Sequence, residues 1–108
     1  LFENLGYEVV MVYEKFRTTY ALDDAEIVLD EMPYGFFIEI EAGNPGTIRS
    51  LAEKLDLIWE ARIFDSYTVL FDFLKWTRGL QFRDLSFENF ASLTISPQDL
   101  GIRYADTP

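Results

Sequence analysis

The chain has 108 residues, nineteen acidic and nine basic, with a net charge of −10; 49% of the residues are hydrophobic and 17% aromatic. This composition excludes a disordered chain, and the acidic charge argues against general nucleic-acid binding, because phosphate backbones require a basic surface. Since the sequence has neither Cys nor His, disulfides, zinc sites of the usual kind and a Ser-His-Asp triad are excluded, and any metal must be held by oxygen, which favours Mg²⁺, Mn²⁺ or Ca²⁺.

The N-terminal residues read like the end of a helix, with residues 1–5 helical and Gly6 as the stop. Because the chain begins at Leu1 rather than Met, we expect it to be part of a longer protein. No apolar run approaches the roughly 20 residues needed to cross a bilayer, and no signal peptide is visible. We therefore expect a cytoplasmic protein without a membrane partner.

Three strands follow in the predicted order of elements. Residues 9–22, 26–32 and 36–42 are rich in β-branched and aromatic residues, and short turn-forming segments separate them. Strands joined by turns this short pair as an antiparallel meander. The sequence therefore predicts a three-stranded antiparallel sheet, which together with the helices that follow gives an α+β fold.

Helices are predicted in the second half of the chain. Asn44 or Thr47 can cap a helix that runs to residue 57, and residues 67–78 form a second helix between the cap Ser66 and the stop Gly79. The segment 59–65 is ambiguous between a helix end and a strand, and residues 85–90 and 96–101 predict short helical turns. We place residues 77–108 in a C-terminal extension that packs on the preceding domain, residues 1–76.

One face of the predicted sheet is charged. Because side chains alternate along a strand, Lys15 and Arg17 on the first strand share a face with Asp30 on the second and with Glu39 and Glu41 on the third. Basic residues beside carboxylates suit a polyanion whose phosphates are bound by Lys and Arg and neutralised by a carboxylate-bound divalent metal. The pattern therefore predicts a phosphate and metal site on this face.

A solvent-facing sheet surface is the alternative. Antiparallel sheets commonly bury one face and expose a charged one, and cross-strand ion pairs there contribute roughly 0.2–1 kcal/mol each. On this interpretation the other face is buried. Its apolar side chains are Val10, Val12, Phe16, Ile38 and Ile40. The alternation alone does not separate the two interpretations.

Motif order adds a family resemblance. The strings "YEKFRTTYALDDAEIVLDEMPYGFFIEIEAG", "IRSLAEKLDL" and "DSYTVLF" resemble the C-terminal half of a CYTH domain, the family of class IV adenylate cyclases and thiamine triphosphatases, also called triphosphate tunnel metalloenzymes. The resemblance covers residues 5–74. It implies an antiparallel barrel whose tunnel holds a triphosphate, such as ATP, thiamine triphosphate or tripolyphosphate.

The resemblance also implies roles for individual residues. Lys15 and Arg17 would contact phosphate oxygens, and Glu39 and Glu41 would bind Mg²⁺ or Mn²⁺, with Asp30 as a further acidic candidate. Arg62 would be the basic residue expected before the "SY" helix start, although Asp65 lies closer to that position. Ser66 and Tyr67 match the motif, and we assign them to capping and packing.

The sequence departs from the family pattern in its first half. The Glu-x-Glu-x-Lys motif of the N-terminal strand does not occur; the nearest string, "EIEAG", lacks the Lys and belongs to the later strand. One wall of the tunnel and part of the metal coordination would then be missing. We therefore expect an N-terminally truncated fragment, inactive alone, whose open sheet edges can pair with a second copy.

Three functions remain open from the sequence. The first is metal-dependent triphosphate processing, either hydrolysis by water or cyclisation by attack of a ribose hydroxyl, with no catalytic base identified. The second is a non-catalytic module that binds polyphosphate or a protein partner. The third is a purely structural acidic domain that dimerises through its aromatic edges.

Overall fold

The computed structural model describes residues 11–22 and 24–106, and the predicted helix end at residues 1–5 lies outside this part. The fold is α+β. Two 3₁₀ turns accompany three strands and three helices. The strands are β1 (Phe16–Leu22), β2 (Ala25–Met32) and β3 (Gly35–Ala42); the helices are α1 (Pro45–Lys54), α2 (Tyr67–Arg78) and α3 (Phe87–Phe90); the 3₁₀ turns are Trp59–Ala61 and Pro97–Leu100.

The sheet is an open antiparallel meander in the order β1-β2-β3. Between β1 and β2, Arg17 lies opposite Asp30. Between β2 and β3, Asp30 lies opposite Phe37 and Val28 lies opposite Glu39. The predicted meander is confirmed. Within the described residues the sheet has three strands, and they do not close into a barrel.

β1 begins later than predicted. Instead of continuing the strand, the chain before it pairs with the C-terminal part: Tyr13 forms a parallel bridge with Leu85. The Leu85 amide donates to the Val12 carbonyl and the Glu14 amide donates to the Leu85 carbonyl, both at 2.9 Å. Residues 9 and 10 of the predicted strand lie outside the described part. These backbone bonds to Leu85 take the place of pairing with β2.

The helix starts follow their caps, whereas α1 ends at Lys54 rather than at the predicted residue 57. The Asn44 side chain accepts a hydrogen bond from the Thr47 amide at 2.9 Å, so α1 starts at the first of the two predicted caps. Ser66 caps α2, and Gly79, in the left-handed conformation at φ 66°, ends it. The predicted short turns near residues 85–90 and 96–101 are present, and the ambiguous segment contains a 3₁₀ turn.

Two apolar clusters cover opposite faces of the sheet at opposite ends. On the Asp30 face, the end near the β2–β3 turn packs against α2 and the C-terminal part of the chain. This larger cluster contains Met32, Tyr34, Leu70, Phe71, Leu74, Leu85, Phe90 and Leu100. On the other face α1 covers the opposite end, where Leu51 packs on Ala25 and Ile27.

Part of the apolar sheet face is exposed. Since α1 covers only one end of it, Phe36 is 81% exposed and Phe16 is 66% exposed, with Tyr20, Leu29 and Ile38 also on the surface. The solvent-facing interpretation expected this face to be buried and the charged face to meet water. The structure agrees with this only in part: α1 covers one end of the apolar face, and on the charged face Arg17 and Glu41 are exposed whereas Asp30 is only 2% exposed.

Within residues 11–22 and 24–106, no helix has the length and apolar character required to span a bilayer.

Candidate functional site

The charged face is assembled by strand register. Arg17 and Asp30 are direct cross-strand partners, and Glu39 and Glu41 follow two and four residues after Phe37, which lies opposite Asp30. Side chains two residues apart on a strand share a face. The structure thus brings Arg17, Asp30, Glu39 and Glu41 to one face, as the alternation predicts.

Asp30 and Arg17 form a two-point ion pair. Arg17 Nε donates to Asp30 Oδ1 and Nη2 donates to Oδ2, each at 2.7 Å, with the Asp30 side chain 1% exposed and the Arg17 side chain 37%. This parallel geometry is the strongest arrangement that a guanidinium and a carboxylate adopt. The hydrogen bonds from Arg17 hold the pKa of Asp30 below its ordinary value. The same bonds to Asp30 raise the pKa of Arg17.

Tyr67, the first residue of α2, is a further partner of Asp30. Its hydroxyl donates to Asp30 Oδ2 at 2.7 Å, and its own carbonyl accepts a hydrogen bond from the Tyr34 hydroxyl, also at 2.7 Å. Burial, followed by the bond to Asp30, raises the pKa of Tyr67. The phenol therefore stays neutral and remains a hydrogen-bond donor through the ordinary pH range.

Lys15 lies against two adjacent phenol rings. Its Nζ is 5.7 Å from the centroid of Tyr13 and 5.8 Å from that of Tyr67, within the range of cation–π attraction. An open depression of about 580 Å³ adjoins Lys15 and is lined also by Tyr13, Glu14, Phe16 and Phe87. Lys15 is thus placed beside Arg17 at the start of the charged face, with free space next to it.

Glu39 and Glu41 stand as neighbouring carboxylates. Burial raises the pKa of Glu39, the charge of Arg17 lowers it, and the neighbouring Glu41 raises it; the nearest Arg17 nitrogen is 3.9 Å from Glu39 Oε1. Two carboxylates on one face of a strand offer the oxygen ligands that Mg²⁺ or Mn²⁺ takes.

A fully protein-built metal cage is not seen in the described part of the chain, where no three acidic side chains are gathered around one point. Asp30 is engaged by Arg17 and Tyr67. The carboxylates of this face that are not paired with Arg17 and Tyr67 in this way include Glu39 and Glu41, with Glu26 directly opposite Glu41 on β2. A ligand would supply the remaining oxygens.

Arg62 is placed elsewhere. Its guanidinium lies 4.5 Å from the centroid of Trp59 and 5.4 Å from that of Phe64, and Nη1 donates to the Trp59 carbonyl. Trp59 also faces Arg49 of α1, and α1 packs on the sheet face opposite Asp30. These contacts join Arg62 to the α1 side of the molecule, so the structure does not bring it together with Lys15 and Arg17.

The sequence interpretation missed one function of Tyr67. The ring packs, as expected: its centroid lies 5.2 Å from that of the Phe37 ring and 6.3 Å from that of the Tyr13 ring. Its hydroxyl also donates a hydrogen bond to the Asp30 carboxylate. The one local signal was a hydroxyl-bearing aromatic directly after a helix cap. Its partner lies 37 residues away in the sequence, which no local pattern identifies.

Comparison with known proteins gives no match to a family model, a curated protein or a solved structure.

Proposed function

We propose that the charged face binds a triphosphate together with a divalent cation and forms one wall of a metal-dependent triphosphate-processing site. The observation that supports this most directly is that Arg17 shares one face of the sheet with Glu39 and Glu41 and lies 3.9 Å from Glu39, while Lys15, two residues before Arg17, lies near the ring of Tyr67, which bonds to Asp30 on that face. Guanidinium and ammonium groups bind phosphate oxygens, and carboxylates supply the oxygen ligands of Mg²⁺ or Mn²⁺.

Two carboxylates suffice for this kind of cation. Mg²⁺ commonly takes one or two protein carboxylates and completes its coordination with substrate phosphates and water, rather than with a cage built from protein alone. Glu39 and Glu41 would hold the cation, which would supply charge neutralisation to the phosphates. Arg17 and Lys15 would bind and orient the phosphate chain from the first strand and the segment before it.

The barrel that the CYTH resemblance implies is part of the proposal. It requires further strands, and β1 offers an edge to them because all seven of its residues are exposed. A neighbouring strand, from this polypeptide or from a second copy, would place a second wall over the charged face. Unpaired strand edges are known sites of such pairing.

The substrate class is a triphosphate such as ATP, thiamine triphosphate or tripolyphosphate. Lys15 and Arg17 act on the phosphate chain, which these compounds share. Binding is therefore common to both reactions proposed for the site, hydrolysis by water and cyclisation by a ribose hydroxyl. In either reaction negative charge shifts among phosphate oxygens, and fixed basic groups stabilise it.

A non-catalytic polyphosphate- or protein-binding module is the second candidate. The observation in its favour is that Asp30, one of the three acidic candidates, already accepts bonds from Arg17 and Tyr67. The charged face would then bind phosphate without processing it.

Calorimetric titration of tripolyphosphate tests the proposal. We expect the 108-residue chain to bind more tightly with Mn²⁺ than without it. A Glu39→Gln/Glu41→Gln variant should lose the gain from Mn²⁺. Because this variant is two charges less negative, electrostatics alone would strengthen its binding of an anion, so a loss has the opposite sign to the nonspecific effect.

The matched control is Glu31→Gln/Glu53→Gln. It changes the net charge equally, but Glu31 and Glu53 are exposed and lie away from the charged face, on the other side of β2 and on α1. It should keep the gain from Mn²⁺. Equal effects of the two double variants would overturn the proposed metal site, and the absence of any tripolyphosphate binding by the unmodified chain would overturn the proposed function for this chain.

A further inference from the structure

We propose that Tyr67 is a positioning residue for the phosphate-binding face: its hydroxyl fixes the orientation of Arg17 through Asp30, and its ring fixes the position of Lys15. This inference rests on the proposed function and deepens it. A single residue at the start of α2 would thereby set the geometry of both basic groups on the charged face.

The first step is the hydrogen bonding of Asp30. Its carboxylate is buried and accepts three bonds of 2.7 Å, two from Arg17 and one from the Tyr67 hydroxyl. The Tyr67 bond ends on Oδ2, the same oxygen that accepts from Arg17 Nη2. It therefore fixes the plane of the carboxylate, and the paired guanidinium must follow that plane.

The second step concerns the Arg17 nitrogen that does not bond to Asp30. Nε and Nη2 are used by Asp30. Among the residues that the structure describes, Nη1 has no hydrogen-bond acceptor, and the side chain is 37% exposed. Arg17 can therefore stay paired with Asp30 and still present Nη1 to a phosphate oxygen. The orientation of the Arg17 guanidinium therefore depends on whether the Asp30 carboxylate keeps a fixed orientation.

The third step is the Tyr67 ring. The ammonium of Lys15 lies 5.8 Å from its centroid and 5.7 Å from that of Tyr13, and the two rings meet edge to face with their centroids 6.3 Å apart. Ordering a long, flexible Lys side chain costs conformational entropy. The paired rings offer it a preferred position beside Arg17.

Tyr67 is itself well anchored. Its carbonyl accepts from the buried Tyr34 hydroxyl at 2.7 Å, its ring contacts Phe37, and the preceding residue, Ser66, caps α2. Supporting residues that are themselves held in place are what keep binding groups in a productive geometry. Tyr67 therefore meets the requirement for a positioning residue.

Two substitutions separate the two parts of Tyr67. Tyr67→Phe removes the hydroxyl and keeps the ring, whereas Tyr67→Leu removes both. We expect tripolyphosphate affinity to fall about fivefold to tenfold in Tyr67→Phe, a loss of one charge-assisted contact, and further in Tyr67→Leu. The further loss should disappear when Lys15 is replaced by Ala, since the ring acts through Lys15.

A double-mutant cycle tests whether the hydroxyl acts through Arg17. In an Arg17→Gln background, Tyr67→Phe should cause no additional loss of affinity; full additivity would overturn the proposal. Thr77→Val is the matched control, because it removes a side-chain hydroxyl bond at the other end of α2 without touching Asp30 or Tyr67. It should lower the melting temperature and leave affinity unchanged. A loss of affinity equal to that of Tyr67→Phe would also overturn the proposal.

A ligand-free measurement keeps this inference distinct from the proposed function. In ¹⁵N NMR spectra the Arg17 Nε–H signal should be protected from solvent exchange in the unmodified chain and in Thr77→Val, and should exchange faster in Tyr67→Phe. Unchanged protection in Tyr67→Phe would overturn the positioning function even if tripolyphosphate binds. Faster exchange in a chain that binds no tripolyphosphate would support positioning of Arg17 and overturn the proposed ligand.

Discussion

The Arg17 guanidinium and the Asp30 carboxylate meet across neighbouring strands through two parallel hydrogen bonds of 2.7 Å. The two partners differ in exposure, because the Asp30 side chain is 1% exposed and that of Arg17 is 37%. Loss of Arg17 would leave a buried negative charge, whereas Arg17 itself can still reach water. The two ends of this ion pair therefore give different and testable responses to substitution.

Arg17→Ala should lower the free energy of unfolding by about 2–3 kcal/mol, the range expected when a buried charged group loses its hydrogen-bond partner. Arg17→Lys should cost less, because it keeps the charge and loses the two-point geometry. Urea unfolding at pH 7, followed by circular dichroism, measures both.

Arg49→Ala is the control for the loss of one surface cation. Its ion pair with Glu53 is 3.8 Å long and exposed at both ends, so we expect a change within about 0.5 kcal/mol. If Arg17→Ala were as mild as Arg49→Ala, the buried pair would not contribute to stability as described.

The pH dependence of stability should report on Asp30. Its pKa is lower in the folded state than in the unfolded state, where it is about 3.9. The resulting stability is present above about pH 4 and is lost as the pH falls through the folded-state pKa. Asp30→Asn should therefore be less stable than the unmodified chain at pH 7, with the gap closing towards about pH 2. Urea midpoints across this range measure it, and a gap independent of pH would contradict the assignment.

Glu39 should behave in the opposite way. Burial and the neighbouring Glu41 raise its folded-state pKa, so its favourable contribution is present below the unfolded-state pKa and is lost as the pH rises through the folded-state pKa. Glu39→Gln should increase stability at pH 7 by less than about 1 kcal/mol, because the side chain is 43% exposed, and have little effect near pH 3. A loss of stability in Glu39→Gln at pH 7 would refute the prediction.

The end of α2 gives a backbone prediction. Gly79 has φ 66°, a conformation that side-chain-bearing residues rarely adopt, although no other atom lies within 4 Å of the position that an alanine methyl group would occupy. Gly79→Ala should therefore lower stability by about 1 kcal/mol through backbone strain alone. Gly43, which also has open space but no positive φ, is the matched site. Gly43→Ala should be neutral or slightly stabilising. Thermal unfolding measures both variants, and equal losses of stability in Gly79→Ala and Gly43→Ala would contradict the prediction.

The exposed β1 edge predicts self-association. Tyr20 is 54% exposed on the uncovered apolar face, and a charged residue there should block both edge pairing and face packing. We expect a concentration-dependent dimer in sedimentation velocity experiments and a monomer for Tyr20→Lys. Phe64→Lys, at an 86% exposed position outside the sheet, should remain dimeric; a monomeric unmodified chain would rule out this pairing.

Local patterns predicted most of the secondary structure. β-branched and aromatic residues between turn-forming segments located all three strands, and the caps Asn44 and Ser66 and the stop Gly79 set three helix ends, because these signals act over a few residues. The start of β1 was placed too early. The bridge between Tyr13 and Leu85 depends on a contact across more than half of the chain, which competes with pairing to β2 and leaves no local signal.

The sequence by itself determined which side chains share the charged face, because a strand has a period of two and the turns fix the register. Only the tertiary structure decided that Asp30 is buried, that Tyr67 bonds to it, that Arg62 lies on the α1 side and that Phe36 is exposed. These properties depend on where α1 and α2 pack on the sheet. That placement depends on which apolar surfaces α1 and α2 bury against the sheet, and no local pattern contains it.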